Sequence, residues 1–494
     1  MTRARVAEQV LVAALLAGGC RTDREVTAPP PGPAAAAAPR ATERECAPSM
    51  PRGARCGSVR VFENRDTREG RTIDLAYVVL PATGRAVQPD PLFVLAGGPG
   101  QAATRLLVLG SGSLEAVNET RDLVFVDQRG TGDSNGLRCD AEELDAILRG
   151  PWDDTNHARI VECGRSLPAD LTWYATSPAM DDLDDVRVAL GYDQINLWGG
   201  SYGTRAGLVY LRQHGEHVRS AVLWGVAPPG QPFMRTFAPQ GQAALDAVLA
   251  DCAADARCRA ALPDGPKTVE RILARLRKAP ARVAVTDPRD GSPATVELTA
   301  ELFASGLRLS LYDAEWSAAL PMMLSAADQG RYEPFLGIVI PVSVAIREQI
   351  HLGMFMSVAC AEDVPLLTAD DLAAADRTFM GDEFLRSLQS SCAQWPRATL
   401  PAGYLEPVQS DVPVLLMAGT VDPVTPPATA ELAATTLSHA RAVPFPETGH
   451  GTSNAGECEA RLVRRFIDDP DPAALDVSCT KELERPPFVL GGAQ

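Results

Sequence analysis

The chain has 494 residues, a formal net charge of −17 and 46% hydrophobic residues. That apolar content supports a large buried core and excludes a globally disordered chain. The acid excess excludes the basic footprint that nucleic-acid binding requires, and at about 150 residues per compact unit the length fits two to three units.

The first twenty residues read as an export signal. Arg3 and Arg5 supply the positive start, Val10 to Ala17 a short apolar stretch, and Gly18-Gly19-Cys20 closes the segment. The apolar stretch is too short to span a bilayer as a mature helix. Small residues ending at Cys20 resemble a lipoprotein cleavage site, which makes Cys20 the expected lipid anchor; a plain secretory signal cut elsewhere is the alternative. No later segment has 18 uninterrupted apolar residues, so any membrane contact is expected through that lipid alone. Residues 21 to 45 form a Pro/Ala-rich tether, with APPPGPAAAAAP from Ala28 to Pro39.

Cysteine usage agrees with export. Of the 11 cysteines, removing Cys20 leaves ten, which can pair fully. They fall as neighbours: Cys46 and Cys56, Cys139 and Cys163, Cys252 and Cys258, Cys360 and Cys392, Cys458 and Cys479. Sequential pairing is the simplest expectation, since short loops close easily. No C-x-x-C occurs and the 6 histidines show no ligand spacing, so neither a metal nor a cofactor is expected.

From about residue 58 strands and helices alternate. Thr72 to Leu80, Pro91 to Ala96, Asp122 to Val126, Ile195 to Trp198 and Ser220 to Val226 read as strands. Ser177 to Leu190 reads as a helix with a serine cap, and Tyr202 to His214 as another. Such alternation implies a parallel sheet covered on both faces. Residues 46–230 are expected to form the first part of that core. Residues 231–405 change character: Ala243 to Ala261, Thr268 to Lys278, Leu298 to Leu311 and Trp316 to Asp328 look helical, so a mostly helical insertion is expected there. The α/β rhythm returns at Val412 to Ala418 and Ala440 to Phe445, which places the second part of the core at 406–494.

Within this frame Gly199-Gly200-Ser201-Tyr202-Gly203 fits G-x-S-x-G between a strand and a helix. A nucleophilic serine needs a tight turn that lifts its hydroxyl clear of the backbone, and side chains two positions either side would clash. It also needs a base. Asp422 follows one late strand and His450 the next, in the order Ser, Asp, His of α/β-hydrolases. The expected roles are Ser201 as nucleophile, His450 as general base and Asp422 as the acid that orients the imidazole. The glycines of Ala96-Gly97-Gly98-Pro99-Gly100 suit an oxyanion hole, with backbone N–H groups of Tyr202 and Gly98 as donors and Gly97 in reserve. Thr425 is expected to support the acid by a hydrogen bond. Asp127 and Arg129 are expected to brace loops, and the Asp181, Asp182, Asp184, Asp185 run to form a solvated helix face.

LAGGPG (Leu95 to Gly100), DQRGTGDS (Asp127 to Ser134), GGSYGT (Gly199 to Thr204), GTVDPVTP (Gly419 to Pro426) and the glycine-flanked His450 together resemble the prolyl iminopeptidase and tripeptidyl aminopeptidase group of α/β-hydrolases. The resemblance covers about residues 58–230 and 405–480, and departs from the group at Ala96, where a histidine is common. It implies an α/β-hydrolase fold with a mostly parallel sheet and a helical cap at 231–405. It also implies release of residues or short peptides from substrates with a free N-terminus. Recognition of a cationic amine calls for a carboxylate, and Glu362 or Asp363 is the expected anchor, with a solvated surface pair as the alternative. An esterase-like hydrolase would use the same triad, and a catalytically silent peptide-binding module is the reading from another class.

Overall fold

The computed structural model describes residues 39–109, 112–139, 144–149 and 154–490. The export signal, Cys20 and most of the expected tether lie outside the described residues.

Eleven strands are described: β1 Ala41–Arg44, β2 Arg55–Phe62, β3 Thr72–Leu80, β4 Leu92–Leu95, β5 Leu123–Val126, β6 Ile195–Gly200, β7 Val218–Trp224, β8 Ala281–Thr286, β9 Pro293–Leu298, β10 Val414–Gly419 and β11 Ala440–Phe445. Nine of them form one sheet in the order β1-β2-β3-β5-β4-β6-β7-β10-β11. The pairings from β1 to β5 are antiparallel, and every pairing from β5 to β11 is parallel. The parallel part is apolar on both faces. Phe93 and Leu95 of β4 join one cluster with helices Thr176–Leu190 and Tyr202–His214. Leu92 and Val94 of the same strand join another, with helices Gly112–Asn118 and Gly456–Asp468. Side chains of a strand alternate between faces, so a continuous apolar run is what a doubly covered strand requires.

Between β7 and β10 the chain leaves the sheet. The stretch from Ala244 to Val344 builds a second apolar cluster, shared with Leu144, Ile147, Leu148 and Phe379, around Phe303 and Phe335, whose rings lie 4.4 Å apart. Side chains from Leu352 to Tyr404 rejoin the cluster of the sheet instead. The insertion also holds the antiparallel hairpin β8–β9. Only Val283 of the first strand and Val296 and Leu298 of the second are fully buried, so the hairpin gives a short, weak strand signal in sequence.

Two local expectations are corrected and one helix was missed. The helix at Thr176–Leu190 starts after Ala175, without a side-chain cap, because Ser177 lies inside its first turn. The Asp181–Asp185 run is not a solvated face: Asp182 is 1% exposed and Arg65 and Arg129 hold it, while Asp184 accepts from Arg187 and Tyr210. Helix Glu333–Gln349 was not legible, since Pro341 and a β-branched run interrupt its local signal.

All five neighbouring cysteine pairs are disulfides: Cys46–Cys56, Cys139–Cys163, Cys252–Cys258, Cys360–Cys392 and Cys458–Cys479. Among the described residues no single helix is long and apolar enough to cross a membrane. The Cys360–Cys392 bridge closes a separation of 32 residues. Replacing both cysteines by serine is expected to remove about 3 to 4 kcal/mol of stability, read as a lower urea midpoint.

Candidate active site

Strand β6 runs into helix Tyr202–His214 through Ser201, whose φ of 55° and ψ of −124° lie outside the regions that L-residues favour. The glycines permit this crossing. A Cβ on Gly199 would stand 2.5 Å from the Gly203 carbonyl oxygen, and one on Gly203 would overlap the Leu95 carbonyl of β4. The turn is pinned from three sides. Ser201 N–H donates to Trp224 O at 2.8 Å, and Thr204 N–H and Oγ1 both donate to Ser201 O, at 2.9 and 2.6 Å.

Asp422 and His450 follow the C-terminal ends of β10 and β11, on the same side of the sheet as Ser201. Asp422 is 2% exposed. Its Oδ1 accepts from Val424 N–H at 2.7 Å and Thr425 N–H at 2.9 Å, which fixes the carboxylate plane. Its Oδ2 accepts from Thr425 Oγ1 and faces His450 Nδ1, each at 2.8 Å. The hydrogen bond expected of Thr425 is therefore present. Trp224 Nε1 donates to His450 O at 2.8 Å, so one residue of β7 holds both the Ser201 amide and the histidine loop. On the insertion side Tyr312 stands edge-on to the imidazole, with ring centres 5.2 Å apart. Nothing in the sequence pointed to Trp224 or Tyr312, because their roles arise from neighbours far along the chain.

The Gly97–Gly100 loop lies beside this centre. A Cβ on Gly97 would be 3.4 Å from Ser201 Cβ. Gly98 has φ of 108°, a conformation that favours glycine. The Gly97 N–H donates to Gln101 Oε1 at 3.2 Å, and Gln101 Nε2 donates to Gln349 of the insertion at 2.6 Å. Tyr202 opens the helix, so its N–H lies among those left without an intrahelical acceptor. Asp127 accepts from Thr104 and from Asp133 N–H, and Arg129 from its buried site reaches Asp182, Glu63 O and Trp173 O; both brace loops, as expected. Among the described residues no group of acids, histidines and cysteines has the arrangement of a metal site.

Glu362 and Asp363 are placed differently from expectation. They are 1% and 0% exposed, so they are not a solvated pair. Arg205, one turn into the Ser201 helix, donates to Asp363 through both terminal nitrogens at 3.0 Å and reaches Glu362 at 3.4 Å. Glu362 also accepts from Thr176 N–H and Oγ1 and from Tyr404 OH, and Asp363 from Phe233 N–H. A carboxylate whose oxygens are filled and shut from solvent is not an open anchor for a substrate ammonium. The pair instead ties the elbow helix to the returning end of the insertion. Burial pushes both carboxyls up from their usual range, and Arg205 opposes that shift.

Comparison with known proteins agrees with this geometry. A family described as "alpha/beta hydrolase fold" matches residues 90–261, and one described as "TAP-like protein" matches residues 377–479. Serine protease Hip1 of Mycobacterium tuberculosis is 26% identical over 418 residues, spanning 76% of this chain and 78% of that protein. Tripeptidyl aminopeptidase of Streptomyces coelicolor is 29% identical over 199 residues, 37% of each chain. Proline iminopeptidase of Xylella fastidiosa is 39% identical over 64 residues, 13% of this chain and 20% of that one. The chain is an α/β-hydrolase. Within that fold its sequence is similar to tripeptidyl aminopeptidases, proline iminopeptidases and TAP-like proteins.

Two outcomes follow from the packing. Gly203→Ala is expected to lower stability by about 3 kcal/mol in urea unfolding, since its methyl meets the Leu95 backbone and not a side chain that can turn away. Arg205→Met leaves two buried carboxylates without their cation, a loss of about 3 to 5 kcal/mol. The sign with pH is fixed: a carboxyl whose folded pKa is raised loses folding stability as pH climbs from its unfolded value through its folded one. Without Arg205 that window extends upward, so the deficit of the variant is expected to be larger at about pH 8 than at about pH 5.

Proposed function

We propose that this protein is a serine aminopeptidase that releases single residues or short peptides from free N-termini through an acyl-enzyme. The observation that carries the reading is the Asp422–His450 pair at 2.8 Å, joined through Trp224 to a serine held at positive φ at the head of a helix. His450 takes the Ser201 proton through Nε2, while Asp422 keeps Nδ1 protonated and stabilises the imidazolium that forms. Ser201 Oγ attacks the scissile carbonyl, and the amine leaves with the proton from His450. Water then repeats the sequence on the ester. The oxyanion is received by N–H groups of Tyr202 and Gly98, with Gly97 available once Gln101 turns aside. No cofactor enters these steps. The residues from 231 to 405 act as the cap that restricts entry, and the mature protein is exported, tethered by a lipid on Cys20. The five disulfides and the peptidase names of its relatives support this reading.

A fluorophosphonate probe is expected to label the wild-type chain and not Ser201→Ala. Aminoacyl or tripeptidyl anilides are expected to turn over, with N-acetylation reducing kcat/KM by about a hundredfold. Equal turnover of blocked and free substrates would exclude the exopeptidase reading and favour an esterase-like hydrolase.

A further inference from the structure

Arg308 lies on the insertion helix Ala300–Ser310 with its side chain half-buried. Its Nη1 donates to Tyr312 OH at 3.0 Å. Its Cζ stands 4.4 Å from the Phe237 ring centre and 5.1 Å from that of Tyr312. Tyr312 in turn stands edge-on to His450 at 5.2 Å, and its carbonyl accepts from Gly451 N–H at 2.7 Å. Two steps of 5.1 and 5.2 Å thus join the guanidinium to the imidazole.

Arg308 lacks the counter-charge that the fully buried arginines have, and unlike the half-buried Arg212 and Arg441 it meets aromatic rings and not backbone carbonyls. The buried guanidinium of Arg129 meets Asp182, that of Arg205 meets Asp363, and that of Arg121 meets Asp90. Among the described residues Arg308 forms no ion pair, and its Nε is buried without a hydrogen-bond partner. Aromatic faces attract the cation but accept no conventional hydrogen bond. With Nη1 engaged by Tyr312 and Nε shut from solvent, Nη2 is the donor left for a carboxylate, and Nε joins it as a parallel second donor once the side chain turns outward. A donor left unsatisfied at a buried site is costly, and an arriving carboxylate removes that cost. The chain as a whole carries −17, so its general field repels anions, and only a local unpaired cation would hold one here.

We propose that Arg308 is a specificity-determining residue that receives a carboxylate of the bound peptide close to the scissile bond. The shared chemistry is a carboxylate, supplied by an Asp or Glu side chain or by the C-terminus of a short peptide. The proposal rests on the peptidase reading of Ser201, Asp422 and His450 and adds a substrate class to it.

The test measures binding by calorimetry to the full chain carrying Ser201→Ala, so that the probe is not consumed. The probes are tetrapeptides with a free N-terminus in four forms: Glu or Gln at the second position, each ending in a carboxylate or a carboxamide. Loss of the carboxylate at one of the two places is expected to weaken binding about tenfold or more, and the place identifies the source. Adding Arg308→Met is expected to erase the difference. Arg308→Lys, which keeps the charge without the fork, is expected to retain part of it and serves if the methionine variant folds poorly. Equal affinities of all four forms, no binding of any, or a carboxylate preference that survives the loss of the Arg308 charge would each overturn the proposal. Failure of the peptidase reading would appear elsewhere, as equal turnover of free and N-acetylated anilides by the wild-type chain.

Discussion

The arrangement rests on one close crossing, where helix Tyr202–His214 starts against β4 with no space for a side chain at Gly203. That approach forces the chain to turn within a single residue, and Ser201 takes the unfavourable backbone angles. Local propensity alone would not hold a serine there. The turn survives because neighbours over-determine it: Trp224 accepts its amide, Thr204 closes on its carbonyl, and β6 and the helix leave in fixed directions. The backbone of Ser201 is therefore held by its neighbours rather than by its own conformational preference.

Around that crossing, polar groups are used to connect distant parts of the chain. Arg205 projects from the same helix into a fully buried site and meets Glu362 and Asp363, which belong to the end of the insertion. Thr176 and Tyr404 complete the shell, and Tyr202 OH approaches Thr176 Oγ1 at 2.9 Å. A buried charge is tolerated only when paired and hydrogen-bonded, so this network specifies where the insertion must return to the core. Its value is positional. It fixes the helix that carries Ser201 relative to the cover above it, and Gln101 with Gln349 repeats that link at the glycine loop.

The opposite logic operates at the rim of the site. Tyr312 stands on the insertion edge-on to His450, and behind it Arg308 has no acid to neutralise it. The fully buried guanidiniums of Arg121, Arg129 and Arg205 are paired with acids, whereas the half-buried Arg308 is held by aromatic rings. Ser201, Asp422 and His450 stand on loops at the ends of sheet strands, whereas Tyr312 belongs to the insertion, and the two parts meet at the His450 ring.

Much of the frame was legible in the sequence. Thr72–Leu80, Tyr202–His214 and Ala440–Phe445 were read with their observed bounds because their apolar residues recur with the period of a strand or helix between polar breaks. Ser201, Asp422 and His450 were recognisable because each sits at the end of a strand in a fixed order, a pattern that depends on chain direction and glycine spacing alone. The pairing of the cysteines also followed from proximity along the chain. What the sequence left open was decided by contacts between remote segments. Whether Asp182, Glu362 and Asp363 face water or an arginine depends on which helix packs above them, and no local pattern encodes that partner. Nor does any local pattern encode that Arg308 would find aromatic rings instead of an acid. Secondary structure follows from short-range periodicity; the charge state, partners and openness of a side chain follow from the three-dimensional neighbours that only the completed fold supplies.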